Sequence, residues 1–446
     1  MTTSSPDSET INEWIYEQMS SYYYWSDQVP AESSTDKTLD PSDYFNSLLY
    51  TYNSVSNPTG DRFSYICEDG SAMEAALNGQ TQSTGIQYRL FYLDNGNTNV
   101  AGQVLYVLAG SPAEKAGFQR GNIFTKVNGE SLTTTNYSSL LANSSLTFTL
   151  AELSSSNTLV DTQNTISVTT TTIQENPVFL DSIYTVNSKK VGYLVYNQFI
   201  PGPNGSSAEE YDNQLRTIFG TFKSAGIESL ILDLRYNTGG SISSAITLAS
   251  LIAKVTGNKQ VFYKEGYNSQ MNIYITKNYG TDYFNEYFTE ETNSLGDQIS
   301  KVTILTSQWT ASTSELLING LKPYMTVKLI GETTYGMNVA TTTLVDDTGA
   351  ISYGLQPVLM KVYNSVGQSD YASGFTPDQQ VSEPIDLQPL GSTQEALLKV
   401  ALQVVATGGR TSATTMQQLS GSKSGILGKM TVPEKIKAVF VEKKTI

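Results

Sequence analysis

The chain has 446 residues and a formal net charge of −15, long enough for two or three domains and too acidic to offer nucleic acid a basic face. It contains no histidine and one cysteine, Cys67. This excludes a Ser-His-Asp triad, a Cys-His pair, H-E-x-x-H zinc chemistry, an intrachain disulfide and a Cys-rich metal site, and neither a metal nor a cofactor is expected.

Residues 1–80 read as a helical N-terminal cap. Met1–Pro6 shows neither a charged n-region nor an apolar h-region, so no signal peptide is expected there. Ile11, Trp14, Ile15, Met19, Tyr22 and Tyr23 recur at three- and four-residue spacing after Ser8-Glu9-Thr10, the pattern of an amphipathic helix. A second helix is expected from Pro41 to Tyr50, capped by Asp40 or Ser42. No stretch of about 18 apolar residues occurs in the chain, so no membrane-spanning helix is expected.

Residues 83–172 read as a β-rich domain. Thr84-Gly85-Ile86-Gln87-Tyr88 has the form of a turn entering a strand, and Val104 to Leu108 alternates into Gly110-Ser111-Pro112-Ala113. Pro112 suits the first turn of a short helix, Gly117 its left-handed end, and Asn128-Gly129 a type I′ hairpin. The run from Ser111 to Gly129 resembles the signature of PDZ modules, with Asn122 where Asp is usual. The resemblance implies that Gly85 and Ile86 open a site for a polypeptide C-terminus, added as a strand to a sheet edge.

Residues 178–405 read as an α/β core. Val191 to Phe199 is a buried-strand pattern, and Tyr211, Leu215, Ile218, Phe219 and Phe222 share one helical face. Ser229 to Asp233 leads through Leu234-Arg235-Tyr236-Asn237-Thr238-Gly239-Gly240 into a helix at Ser241 to Ala253. A strand, a Gly-Gly turn and a helix aim backbone amides at a crevice. Asp233 and Arg235 are expected to form a structural pair. Val302 to Leu305 then ends in small polar residues around Ser312, followed by a helix carrying Leu316, Leu317 and Leu321. This arrangement can present a nucleophilic hydroxyl, although Ser312 is equally a normal helix cap. Val327 to Ile330 enters Gly331-Glu332-Thr333-Thr334-Tyr335-Gly336, and strands are expected over Ile351 to Pro357 and Lys361 to Tyr363. Gly374-Phe375-Thr376-Pro377-Asp378 and a closing helix from Gln394 to Val405 end the core; 406–446 is a polar, Lys-rich C-terminal extension with an apolar stretch at Val439 to Val441.

T-A-S-T-S-E, G-E-T-T-Y-G and L-I-L-D-L-R-Y-N-T-G-G together resemble the C-terminal processing (tail-specific) serine peptidases of family S41, in the Bacteroidetes-type form that carries a PDZ domain. The resemblance implies a multi-domain α/β protein: helical cap, PDZ domain and a ClpP/crotonase-like peptidase core. It puts the nucleophile on Ser312, oxyanion support on Gly239, Gly240 and Thr334, and the basic Lys on residue 337, 25 positions after Ser312. Residue 337 is Met, and the family's Lys-orienting Gln falls on Thr341. A thioether cannot take a proton from a hydroxyl. Three readings follow: a tail-specific peptidase altered at Met337, a pseudopeptidase that binds C-termini, or an enzyme in which Lys322, Lys328, Lys361 or Glu315 serves as base. The implied partner is a polypeptide with a free C-terminus. The implied location is exported, periplasmic or an outer-membrane lipoprotein in the full-length form.

Overall fold

The computed structural model describes residues 6–408, except 94, 95, 97, 156, 157, 204–208 and 258, together with the backbone of 430–431. At the N-terminus Asp7 caps the helix Ser8–Tyr22 by accepting from the Thr10 amide at 2.9 Å. Ile11, Ile15 and Met19 form its buried face, one turn apart. Asp40 caps the next helix, Pro41–Ser47. That helix stops short of Tyr50 because the Tyr50 amide bonds the Tyr23 hydroxyl at 3.1 Å and its carbonyl accepts from Asp61 at 2.7 Å. The cap shares one apolar cluster with Met337, Val339, Leu344, Leu355 and Val358 of the core. Its strand Tyr65–Cys67 also pairs with Gly354–Gln356.

The β-rich domain is an antiparallel sheet in the order Met430–Thr431, Ile86–Tyr92, Val100–Val107, Ile123–Val127, Ser145–Leu153, Leu159–Thr169. Asn128 and Gly129 have φ of 54° and 83°, as a type I′ hairpin requires. Ser111 caps the short helix Pro112–Lys115, and Gly117 follows it at φ 90°. The first strand of the sheet comes from the C-terminal extension, a region whose sequence pattern offers no assignment. The apolar stretch Val439 to Val441 lies outside the described residues.

The core sheet runs Val178–Val186, Lys189–Tyr196, Ser229–Asp233, Lys301–Thr306, Thr326–Gly331, Gln379–Gln380. Its first pair is antiparallel and the rest are parallel. Period-two alternation divides the strands cleanly. Leu230, Leu232 and Ile304 pack with the helices Glu210–Ala225, Ile242–Ile252 and Thr313–Leu321, while Ile231 and Leu305 pack with the helix Ala396–Ala406. Covering both faces is what a parallel sheet needs. Two neighbouring parallel strands, Ser229–Asp233 and Lys301–Thr306, release their chains at the same end of the sheet.

A buried ionic network lies beneath that end. The Arg235 guanidinium donates to Asp233 through Nε at 2.9 Å and Nη2 at 2.7 Å, and to Glu395 through Nη1 at 2.6 Å and Nη2 at 2.9 Å. It also reaches Glu383 at 3.0 Å. Glu395 in turn caps the helix Ala396–Ala406 by accepting from Leu398 at 2.9 Å. Burial alone would raise the Glu383 pKa, but Arg120 and Arg235 outweigh it and hold that carboxyl well below the usual range. The expected Asp233–Arg235 pair is therefore one edge of a larger structure. Removing its centre would strip the buried Asp233 and Glu395 of their bonded cation and leave Glu383 with Arg120 alone. Arg235→Ala should lower unfolding free energy by about 3–5 kcal/mol, read as a shifted urea midpoint of the core transition; an unshifted midpoint would refute this role.

Candidate active site

The turn after Lys301–Thr306 is fastened to the turn after Ser229–Asp233, residue by residue. Thr310 donates its hydroxyl to the Leu234 carbonyl at 2.8 Å. The Asn237 carbonyl accepts from the Ala311 amide at 3.2 Å and the Ser314 hydroxyl at 3.1 Å. Thr313 donates to the Gly240 carbonyl at 2.7 Å. The small polar residues of T-A-S-T-S are thus the donors that the backbone of D-L-R-Y-N-T-G-G lacks within its own strand.

Between these staples stands Ser312, at φ 54° and ψ −112°, immediately before the helix Thr313–Leu321. A non-glycine residue there is strained, and such strain persists only where the surroundings enforce it. Gly239 lies directly against it: a Cβ built on Gly239 would sit 3.0 Å from Ser312 Cβ and 3.3 Å from Ser312 Oγ. The Gly239 amide is committed to Asn237 Oδ1 at 2.9 Å. The buried Gly240 amide has no hydrogen-bond partner among the described residues. Gly240 has φ 131°, and a Cβ there would meet the Phe199 carbonyl oxygen at 2.2 Å.

Glu315 ties the Ser312 turn to the loop at 334–337. Its Oε1 accepts from the Thr334 hydroxyl at 2.5 Å and the Gly336 amide at 2.8 Å. Its Oε2 accepts from the Met337 amide at 2.7 Å and the Ser312 amide at 3.1 Å. Ser312 and Met337 thus meet through one carboxylate oxygen. Thr334 extends the tie by accepting from the Phe375 amide at 2.7 Å, and Gly374 packs so closely on the Thr334 carbonyl that a Cβ would come within 2.0 Å. From the N-terminal cap, Arg62 donates to the carbonyls of Gly336 and Ala372, both at 2.8 Å.

Ser312 is 4% exposed and Met337 2%, so both residues are almost entirely out of contact with solvent. The Met337 side chain lies in the apolar cluster shared with the N-terminal cap. Thr341 donates to the buried side chain of Gln356 at 2.7 Å, so a carboxamide does reach this position, from another strand. Gln356 and the organising part of Glu315 were not singled out by sequence. Ser312-x-x-Glu315 spacing, which also reads as a capping box, was the available signal.

The other candidate bases are placed elsewhere. Lys322 follows the far end of the helix, ten residues or about 15 Å of axial rise from Ser312, with its amine 3.8 Å from the Phe375 ring centre. Lys328 pairs with Asp378 at 2.8 Å, and Lys361 lies over Tyr363 at 5.7 Å. No charged side chain among the described residues is bonded to the Ser312 hydroxyl.

The sequence profile of peptidase family S41 matches residues 190–381, and that of the peptidase S41 N-terminal domain residues 10–65. Together they cover more than half of the chain. The chain belongs to peptidase family S41. A PDZ domain profile matches residues 103–152. Among curated relatives, a carboxyl-terminal-processing protease of Picosynechococcus is 25% identical over 344 residues, 76% of this chain and 73% of that one. A crystal structure from Bacteroides fragilis NCTC 9343 assigned to the S41 proteases is 29% identical, with a TM-score of 0.72 over 92% of this chain and 100% of that one. The photosystem II D1 C-terminal processing protease shares the fold at 18% identity and a TM-score of 0.50, over 91% of this chain and 98% of that one. The cap, PDZ and core architecture expected from sequence is the observed one.

Burial pushes the Glu315 pKa up to about 7, against the opposing pull of the Thr334, Met337, Gly336 and Ser312 donors. A carboxyl raised on folding holds extra protons in the native state. Its contribution to stability therefore falls as pH rises from about 4.5 to about 7 and levels off above. Glu315→Gln removes this titration. The stability of the parent chain minus that of the variant should fall by roughly 2–3 kcal/mol across that window, measured as urea midpoints against pH. A difference that stays flat with pH would contradict the assignment.

Proposed function

We propose that this chain is a serine-type endopeptidase of the tail-specific class whose activity is impaired by Met337. Ser312 is the nucleophile: its Oγ attacks a substrate carbonyl carbon as its proton passes to a base at position 337 where one is present. The oxyanion is received by the Gly240 amide just before the helix Ile242–Ile252. The C–N bond then breaks, the proton leaving on the departing amine, to give an acyl-enzyme. The observation that carries this reading is the strained Ser312 backbone held against Gly239. Thr334 supports the site through Glu315 rather than by touching substrate. Residue 337 is the base position. A Lys there would emerge into an apolar, nearly solvent-free cluster, where burial lowers an ammonium pKa towards the neutral range a base needs. Met337 offers no such nitrogen, and Thr341 with Gln356 would then be the group that orients the restored amine.

In the second reading the same scaffold binds polypeptide C-termini without cutting them. Met337 and the near-complete cover over Ser312 favour it. In both readings Gly85 and Ile86 begin the PDZ site that receives a free C-terminus. No helix among the described residues is long and apolar enough to cross a membrane, and the family resemblance supports an exported, periplasmic location or an outer-membrane lipoprotein.

Met337→Lys should raise kcat/KM on an unfolded polypeptide by about a hundred- to ten-thousand-fold, the span of a general base, and Ser312→Ala in the same background should abolish the gain. An inert Met337→Lys protein that remains folded by circular dichroism would favour the binding reading. For the PDZ domain, a peptide with a free carboxylate should bind more tightly than its C-terminally amidated twin in fluorescence anisotropy. Equal affinities would remove carboxylate capture.

A further inference from the structure

The PDZ sheet contains a strand that its own domain does not supply. Met430–Thr431 lies antiparallel on the outer edge of Ile86–Tyr92, with Met430 opposite Phe91 and Thr431 opposite Leu90. The inner edge of Ile86–Tyr92 is taken by Val100–Val107. The added pair therefore covers backbone groups that would otherwise form an open edge. This edge begins at Gly85 and Ile86. Strand addition at such an edge is how PDZ domains take extended peptides. The antiparallel sense aims the chain leaving Thr431 at the Ile86 end of the strand.

We propose that the segment at Met430–Thr431 is an intramolecular ligand of the PDZ domain, and that a polypeptide C-terminus binds there by displacing it. The inference rests on the reading that Gly85 and Ile86 open the peptide site. Residues 407–429 separate this strand from the helix Ala396–Ala406, a contour of up to about 3.3 Å per residue. Charge is complementary by sequence: residues 409–446 hold seven Lys or Arg and two Asp or Glu, within a chain of net charge −15, so this stretch is opposite in sign to the rest of the chain. The contact is also built to be weak. The strand is two residues long, and Pro433 follows two positions later without an N–H to extend the ladder.

The test compares three proteins: the full chain, the chain ending at Gly408, and the full chain with Met430→Pro and Thr431→Pro. Two readouts are taken on each. One is backbone hydrogen exchange over Ile86–Tyr92. The other is the Kd of a fluorescent decapeptide with a free carboxylate, and of its amidated twin. Both altered proteins should exchange faster in that strand and bind the free-carboxylate peptide at least about threefold more tightly, because a tethered competitor has been removed. Unchanged exchange in both would overturn the proposal, even if peptide binding is intact. Faster exchange without any preference for the free carboxylate would uphold the intramolecular strand while refuting C-terminus recruitment.

Discussion

One buried carboxylate organises the centre of this molecule. Glu315 accepts four donors, two on each oxygen, from the Ser312 turn and from the 334–337 loop. Four donors aimed at one carboxylate favour its charged form, and burial opposes them. The balance leaves the group titrating near neutrality while still fixing geometry. Through that single group the unusual Ser312 backbone, Met337 and Thr334 are held in one arrangement. Arg62 of the N-terminal cap and Phe375 of the neighbouring loop brace the same loop from outside.

The second constraint is the ionic network around Arg235, which brings the PDZ domain to the site. Arg120 of the PDZ domain donates to Glu383 at 2.6 Å and to the Tyr236 hydroxyl at 2.6 Å. Tyr236 belongs to the double-glycine loop, and with Trp309 of the Ser312 turn it packs against Leu105 and Tyr106 of the PDZ sheet. A buried ion pair is weak evidence for stability by itself. Here its geometric consequence matters more: the PDZ domain and both loops of the candidate site share one set of contacts.

Much of this was legible in the sequence, for physical reasons. Buried parallel strands read as runs such as Ser229 to Asp233, and their helices carry a clear 3.6-residue stripe. The double-glycine bend and Ser312 were legible because only small residues fit where the two loops interlock. Glu315 was less so, since a carboxylate three residues after a helix-capping serine has an ordinary local explanation. Gln356 was invisible because it reaches Thr341 from a strand of a different sheet. The strand Met430–Thr431 was invisible because two residues carry no period. The second helix ended early because Tyr50 found tertiary partners that its sequence does not announce.

Under the proposed peptidase reading, Ser312 is a nucleophile that lacks only its base. The most direct measurement is the site of labelling by a serine-reactive fluorophosphonate, mapped by peptide mass spectrometry, in the Met337→Lys protein and in the unchanged chain. The account predicts that the label lands on Ser312, at a rate on the order of a hundredfold or more higher once the amine is present. A label on any other serine, or an unlabelled Ser312 in a folded Met337→Lys protein, would contradict it.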